Sequence, residues 1–135
     1  MTAVVVYFDK KHQERTRSFL DTVKEAARIR CDDIRVLDGY ALGERERLNM
    51  YGYVAVFCAE KPFFSTKPDP AIVTILKDHG LGSTKGCVLT VKHGIFCAKF
   101  SRNLMNKLET TGFRIDYFDI LRNAADARRA GGYIG

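Results

Sequence analysis

The sequence predicts a single α/β domain over residues 1–135, a three-layer sandwich with a five-stranded parallel sheet between two layers of helices. Short apolar runs alternate with longer segments in which apolar residues recur every three or four positions. The run at 54–59 (VAVFCA) has no charged residue and is typical of a strand buried on both faces, as in parallel sheets. With five such strands in succession, the predicted sheet order is 2-1-3-4-5.

The elements begin at the N-terminus. Residues 3–8 (AVVVYF) are nearly all apolar and β-branched, which predicts the first strand. Residues 12–30 have the apolar spacing of an amphipathic helix. A short second strand is expected at 34–37, and alternating Glu and Arg at 41–50 predict a weak, mostly solvated helix.

The second half of the chain continues the alternation. Pro70 suits a first helical turn and Gly80 a helix end, so residues 70–79 are predicted to be helical. Residues 113–121 alternate apolar and polar side chains, which is typical of an edge strand with one wetter face. The remaining expected elements are a strand at 86–91, helices at 97–111 and 123–130, and a frayed tail at 131–135.

The charge of the chain favours an anionic partner. The net charge is +6, and from His79 to Leu108 there is no carboxylate. Such a field attracts phosphate or an acidic protein, although a solvated basic face is by itself the better explanation. Aromatic and basic residues do not interleave as in RNA-binding proteins, so nucleic acid is not an expected partner. With no apolar run of membrane-span length and no leader pattern, a cytoplasmic protein without membrane contact is expected.

The four cysteines have no metal-ligand spacing, so no metal site is expected. Reduced thiols, mostly in the core, are the expected state. Cys58 and Cys97 both fall near the ligand end of the predicted sheet, which leaves a redox pair as an alternative to a structural role.

Two predicted loops at the carboxyl edge of the sheet carry candidate ligand-binding residues. An open α/β sheet binds ligands at this edge, near the point where the strand order reverses. The adjacent aromatic residues either contact a ligand or attach their loop to the core, and His93 is either a site residue or a surface histidine. The candidates are Lys61, Phe63, Phe64 and Ser65 after the third strand, and Lys92, His93, Gly94 and Phe96 after the fourth.

The chain resembles the flavodoxin family in its short form, over nearly all of its length. Residues 59–94 resemble the third-strand loop, helix and fourth strand of flavodoxin-like and flavin-reductase-like proteins, and residues 96–115 resemble the helix before the last strand. The resemblance implies an FMN cofactor, whose phosphate lies in the loop after the first strand. It also implies that Phe63 or Phe64, together with Phe96, stacks on the isoalloxazine ring.

The loop after the first strand departs from the family pattern, in which Ser, Thr and Gly surround the phosphate. Asp9 is expected to cap the following helix and to occupy amides that a phosphate needs. Asp9 and Glu14 repel a dianion, whereas Lys10 and Lys11 compensate in part. The matching positions are Asp9, Lys10, Lys11, His12, Gln13 and Glu14.

Two functions follow from these observations. The first is an FMN-dependent electron-transfer or small redox protein with an altered phosphate site. The alternative is a flavin-free flavodoxin-like module whose basic face binds a protein partner or another anionic ligand. A redox partner or an acidic protein is the expected partner, and the short last helix leaves the edge strand open to homodimer formation. Whether the protein is an enzyme stays open.

Overall fold

The computed structural model describes residues 2–135 and has the predicted sheet order. Five parallel strands lie in the order β2-β1-β3-β4-β5, with helices on both faces. The strands are β1 (Thr2–Phe8), β2 (Asp33–Asp38), β3 (Tyr53–Cys58), β4 (Lys85–Val91) and β5 (Arg114–Leu121). The helices are α1 (Glu14–Ala27), α2 (Pro70–Asp78), α3 (Cys97–Glu109) and α4 (Ala124–Gly131). The three-layer α/β prediction is therefore confirmed.

Strand β3 is the centre of the molecule, because every one of its residues is buried. It pairs with β1 on one side and β4 on the other. Its side chains alternate between the two faces of the sheet, as the pleat requires. Ala55 and Phe57 enter the core covered by α1 and α4, whereas Val54 and Val56 enter the core covered by α2 and α3. The apolar run that predicted this strand thus supplies both cores.

The helices cover the sheet through their apolar stripes. Helices α1 and α4 contribute Phe19, Val23 and Ala127 to one core. Helices α2 and α3 contribute Leu76 and Leu104 to the other. None of the helices within residues 2–135 has the length and apolar character that a membrane span requires.

The helix predicted at 41–50 is wrong. The chain there forms two short 3-10 turns, Gly39–Ala41 and Leu48–Met50, joined by irregular backbone. Leu48 is fully buried, and its amide donates to the His79 carbonyl oxygen at 2.7 Å, which fixes the segment against the end of α2. Alternating charges provide no apolar stripe to bury, so a helix would gain little from packing here.

The prediction of a frayed tail is also wrong. Tyr133 stacks on Tyr117 with ring centroids 4.0 Å apart and planes 12° apart. Ile134 is fully buried in the core beneath α1 and α4, and its carbonyl oxygen accepts from the Cys31 thiol at 3.4 Å. The terminal residues thus close one core, which a five-residue sequence with three glycines does not indicate.

Replacing Ile134 with Ala tests this packing. We expect Ile134→Ala to lower the free energy of unfolding by about 2 to 4 kcal/mol, because it removes buried methyl groups and leaves a cavity. The matched control is Ile29→Ala, since Ile29 is 84% exposed, and its effect should stay within about 0.5 kcal/mol. Urea unfolding followed by circular dichroism measures both. Equal losses in the two variants would contradict a buried tail.

Candidate functional site

Three loops meet at the carboxyl edge of the sheet, because parallel strands all end there. We call residues 9–13 the β1 loop, residues 59–69 the β3 loop and residues 92–96 the β4 loop. The Ala59 amide donates to the Phe8 carbonyl oxygen at 2.9 Å, and the Ile95 amide donates to the Phe63 carbonyl oxygen at 3.1 Å. The predicted ligand edge is therefore a junction of hydrogen-bonded loops.

Asp9 organises the β1 loop, as expected from its position before α1. Its carboxylate accepts from the Gln13 amide at 2.9 Å and from the Lys11 amide at 3.2 Å. Asp9 is only 1% exposed, so this carboxylate lies beneath the loop. The His12 amide donates to the backbone oxygen of Asp9 at 3.3 Å, and His12 itself has φ 49°. Asp9 thus occupies amides of the loop as expected, but the expectation that it caps α1 is wrong, because the N-cap residue is Gln13, whose side chain makes no capping hydrogen bond within residues 2–135.

Lys10 connects the β1 loop to the β3 loop. Its amide donates to the Glu60 carboxylate. Its ammonium lies 3.4 Å from an oxygen of Asp69 and 5.2 Å from the centroid of the Tyr40 ring. Lys10 is thus engaged within the chain, whereas Lys11 is exposed and its ammonium has no partner among residues 2–135.

Tyr40 lies under this connection. Its hydroxyl is buried and has no hydrogen-bond partner within residues 2–135. Burial, followed by the nearby carboxylates of Glu60 and Asp69, raises the pKa of Tyr40 above its usual range. Tyr40 therefore stays a neutral phenol at physiological pH.

Lys61 joins the β3 and β4 loops from within. The residue is 5% exposed, and its ammonium donates to three carbonyl oxygens. These oxygens belong to Pro62 at 2.8 Å, Phe63 at 2.9 Å and His93 at 2.8 Å. A buried ammonium has three protons to donate, and all three have an acceptor here. Lys61 is thus a structural cross-link between the loops and has no proton left for a ligand.

Residues of the β4 loop also contact the β3 loop. A ring nitrogen of His93 lies 2.9 Å from the backbone oxygen of Lys61, and the ring meets Phe63 edge to face at 5.9 Å. Gly94 has φ 67°, and a Cβ atom there would overlap the Phe63 carbonyl oxygen. Close approach of the two loops therefore requires glycine at position 94.

Four apolar side chains stay exposed around this junction, and we call them the aromatic patch. Phe63 is 50% exposed, Phe64 71%, Ile95 43% and Phe96 56%. Phe63 and Phe64 touch edge to face at 4.8 Å. These rings do not attach their loops to the core, which removes one of the two interpretations of the adjacent aromatics.

The other predicted residues lie at the margins of the junction. The Ser65 hydroxyl accepts from the Lys67 amide at 3.0 Å and stabilises the β3 loop. Glu14 opens α1 and is exposed, and Lys92 is exposed with its amide bound to Leu121. Sequence reasoning did not include Glu60, Tyr40, Asp69, Ile95 or Arg15, although Glu60 directly precedes Lys61.

A cleft of about 240 Å³ opens between the β1 loop and the β3 and β4 loops. Its apolar lining includes Ala59 and Val91, and Lys11 and Arg15 add positive charge. The Arg15 guanidinium lies 5.4 Å from the centroid of the Phe19 ring and has no carboxylate partner within residues 2–135.

The cysteines do not gather at this cleft. Burial raises the pKa of the Cys58 thiol to about 12 and that of the Cys87 thiol to about 12. Cys31 is buried as well, whereas Cys97 is partly exposed at the first turn of α3. A thiol with so high a pKa is not a nucleophile at neutral pH. Cys58 is therefore suited to packing, as the structural alternative predicted.

Replacing Lys61 tests the cross-link. Lys61→Met keeps the length of the side chain and leaves three carbonyl oxygens without their donor, so we expect the free energy of unfolding to fall by about 2 kcal/mol or more. The amide of Ile95 should also lose protection from hydrogen exchange, because the two loops separate. The matched control is Lys67→Met in the same loop, where the lysine is exposed. Unchanged Ile95 protection in Lys61→Met would contradict the cross-link.

The structure is similar to solved flavodoxins along nearly its whole length. Oxidised Flavodoxin 1 from Bacillus cereus matches with TM-score 0.70 and 15% identity, over 98% of this chain and 94% of that one. The two-electron reduced flavodoxin of Megasphaera elsdenii matches with TM-score 0.75 and 13% identity, over 96% of each chain. A Fusobacterium nucleatum flavodoxin bound to flavin mononucleotide matches with TM-score 0.62 and 10% identity, over 97% of this chain and 92% of that one.

These matches establish the fold as flavodoxin-like. The identities are low, so the likeness concerns the fold alone. At the level of sequence, no protein-family model and no curated protein matches the chain.

Proposed function

We propose that this flavodoxin-like protein binds the ring system of a flavin at its aromatic patch and takes part in electron transfer. The observation that carries the proposal is the exposure of Phe63, Phe64 and Phe96 at the edge where flavodoxins bind their cofactor. Grouped apolar side chains on the surface of a soluble protein mark ligand or partner sites. A bound flavin would supply the redox chemistry, and the residues of the chain would hold and orient it.

The aromatic residues of the β3 loop and the β4 loop fit a flavin ring. Phenylalanine faces stack on planar aromatic ligands and gain from burial. Phe96 has φ 62° at the start of α3, a left-handed conformation that costs a non-glycine residue roughly 1 to 2 kcal/mol. Strain of this kind collects at binding sites. Its place in the aromatic patch supports a ligand-binding role for Phe96.

The β1 loop does not fit a phosphate held by backbone amides. Such a cradle needs free N–H groups that point at the anion. Here the Asp9 carboxylate holds the amides of Lys11 and Gln13, and the Glu60 carboxylate holds that of Lys10. The proposed flavin site therefore rests on its ring contacts, and its phosphate region differs from that of the family.

A second candidate function is a flavin-free module that binds an acidic protein or a redox partner. The observation that favours it is the Lys61 cross-link, which holds the β3 and β4 loops together without any ligand. On the adjacent surface, Lys92, Lys99 and Arg102 are exposed and have no carboxylate partner within residues 2–135. An acidic partner would satisfy these charges while it covers the aromatic patch.

A riboflavin titration of the purified protein separates the two functions. Quenching of flavin fluorescence at micromolar concentration supports the flavin site. In that case Phe64→Ala should weaken binding about fivefold or more, because a stacking contact is worth roughly 1 kcal/mol. The matched control is Met50→Ala, since Met50 is 81% exposed and precedes β3 at the opposite edge of the sheet. If riboflavin and FMN both leave the fluorescence unchanged, the flavin function is wrong and the second candidate takes its place.

A further inference from the structure

We infer that the flavin site prefers a flavin without a 5′-phosphate, such as riboflavin, over FMN, because carboxylates of the chain occupy the phosphate region. The inference rests on the flavin function proposed above and names the ligand class of the same site. It starts from the mismatch between the β1 loop and a phosphate group.

The backbone amides of the β1 loop are all engaged. From Lys10 to Gln13, four successive N–H groups have an acceptor within the chain. Three of these acceptors are carboxylate oxygens of Asp9 and Glu60, and the fourth is the backbone oxygen of Asp9. A phosphate could accept from these four amides only by displacing an acceptor that belongs to the chain. Three of the four acceptors are ionised, so the hydrogen bonds that a phosphate would have to replace are of the stronger kind.

Displacement of Asp9 carries a further cost. Asp9 is 1% exposed, so a carboxylate that loses its amide donors would remain a buried charge. Burying an ionised group without compensating partners is strongly unfavourable. The amides of the β1 loop that bind the Asp9 carboxylate are therefore not available to a phosphate.

The charges around the loop add to this exclusion. Asp9, Glu14 and Glu60 are acidic and lie at the loop or beside it. Of the nearby cations, Lys10 is paired with Asp69, which leaves Lys11 and Arg15 without a carboxylate partner. The carboxylates of Asp9 and Glu60 lie at hydrogen-bond distance from the loop amides, so a dianion that approaches these amides meets two like charges at close range. Riboflavin carries no charge and presents the same ring to the aromatic patch.

The experiment compares riboflavin and FMN on the full chain by fluorescence quenching in one buffer. We expect riboflavin to bind as tightly as FMN or more tightly. Glu60→Gln keeps an oxygen acceptor for the Lys10 amide and removes one negative charge. It should strengthen FMN binding about fivefold and leave riboflavin binding unchanged. The matched control is Glu109→Gln, which makes the same change of charge at the far end of α3.

The outcomes separate this inference from the flavin function. FMN binding tighter than riboflavin binding would overturn the inference and leave the flavin function standing. Equal responses of FMN to Glu60→Gln and Glu109→Gln would also overturn it, because the effect would then reflect net charge. If neither flavin binds, the flavin function fails and the inference fails with it.

Discussion

The parallel pairing of β3 with β1 and β4 is the constraint on which the rest of the structure depends. Because β3 is buried on both faces, helices must cover both sides of the sheet. Because the three strands run in one direction, the loops that follow them end within a small area. Each loop carries backbone N–H and C=O groups that need partners away from the ladders. At the carboxyl edge, hydrogen bonds within and between the loops provide those partners.

Two buried charges of opposite sign provide most of them. The carboxylate of Asp9 accepts from amides of the β1 loop, and the ammonium of Lys61 donates to carbonyl oxygens of the β3 and β4 loops. A buried charge is tolerated only where hydrogen bonds compensate its lost hydration. Both residues meet this condition, so the loops are ordered by the chain itself.

The sequence was sufficient for the fold and for part of this edge. The unbroken apolar run of β3 and the alternation of strands with helices predicted the sheet order, because burial on both faces leaves a clear pattern. The position of Asp9 before α1 predicted that its carboxylate accepts from nearby amides, since such contacts are local, but these amides belong to Lys11 and Gln13 in the loop and not to the first turn of α1. Lys61 appeared as a ligand-facing cation, yet its partners lie on two loops whose approach depends on Gly94 and on the whole fold. Ile134 was missed for the same reason, because its burial requires distant elements.

The aromatic patch differs from the rest of the edge because its side chains are exposed and the nearby polar groups already have partners. At the edge, the amides of the β1 loop and the ammonium of Lys61 are already satisfied, whereas Phe63, Phe64 and Phe96 remain half or more exposed. A ligand or partner would therefore gain mainly from apolar contact, which is non-directional and tolerates different aromatic groups. Discrimination must then come from charge. For a phosphate, the proposed repulsion comes from the carboxylates of Asp9 and Glu60, whereas for an acidic protein the exposed cations Lys92, Lys99 and Arg102 would provide attraction.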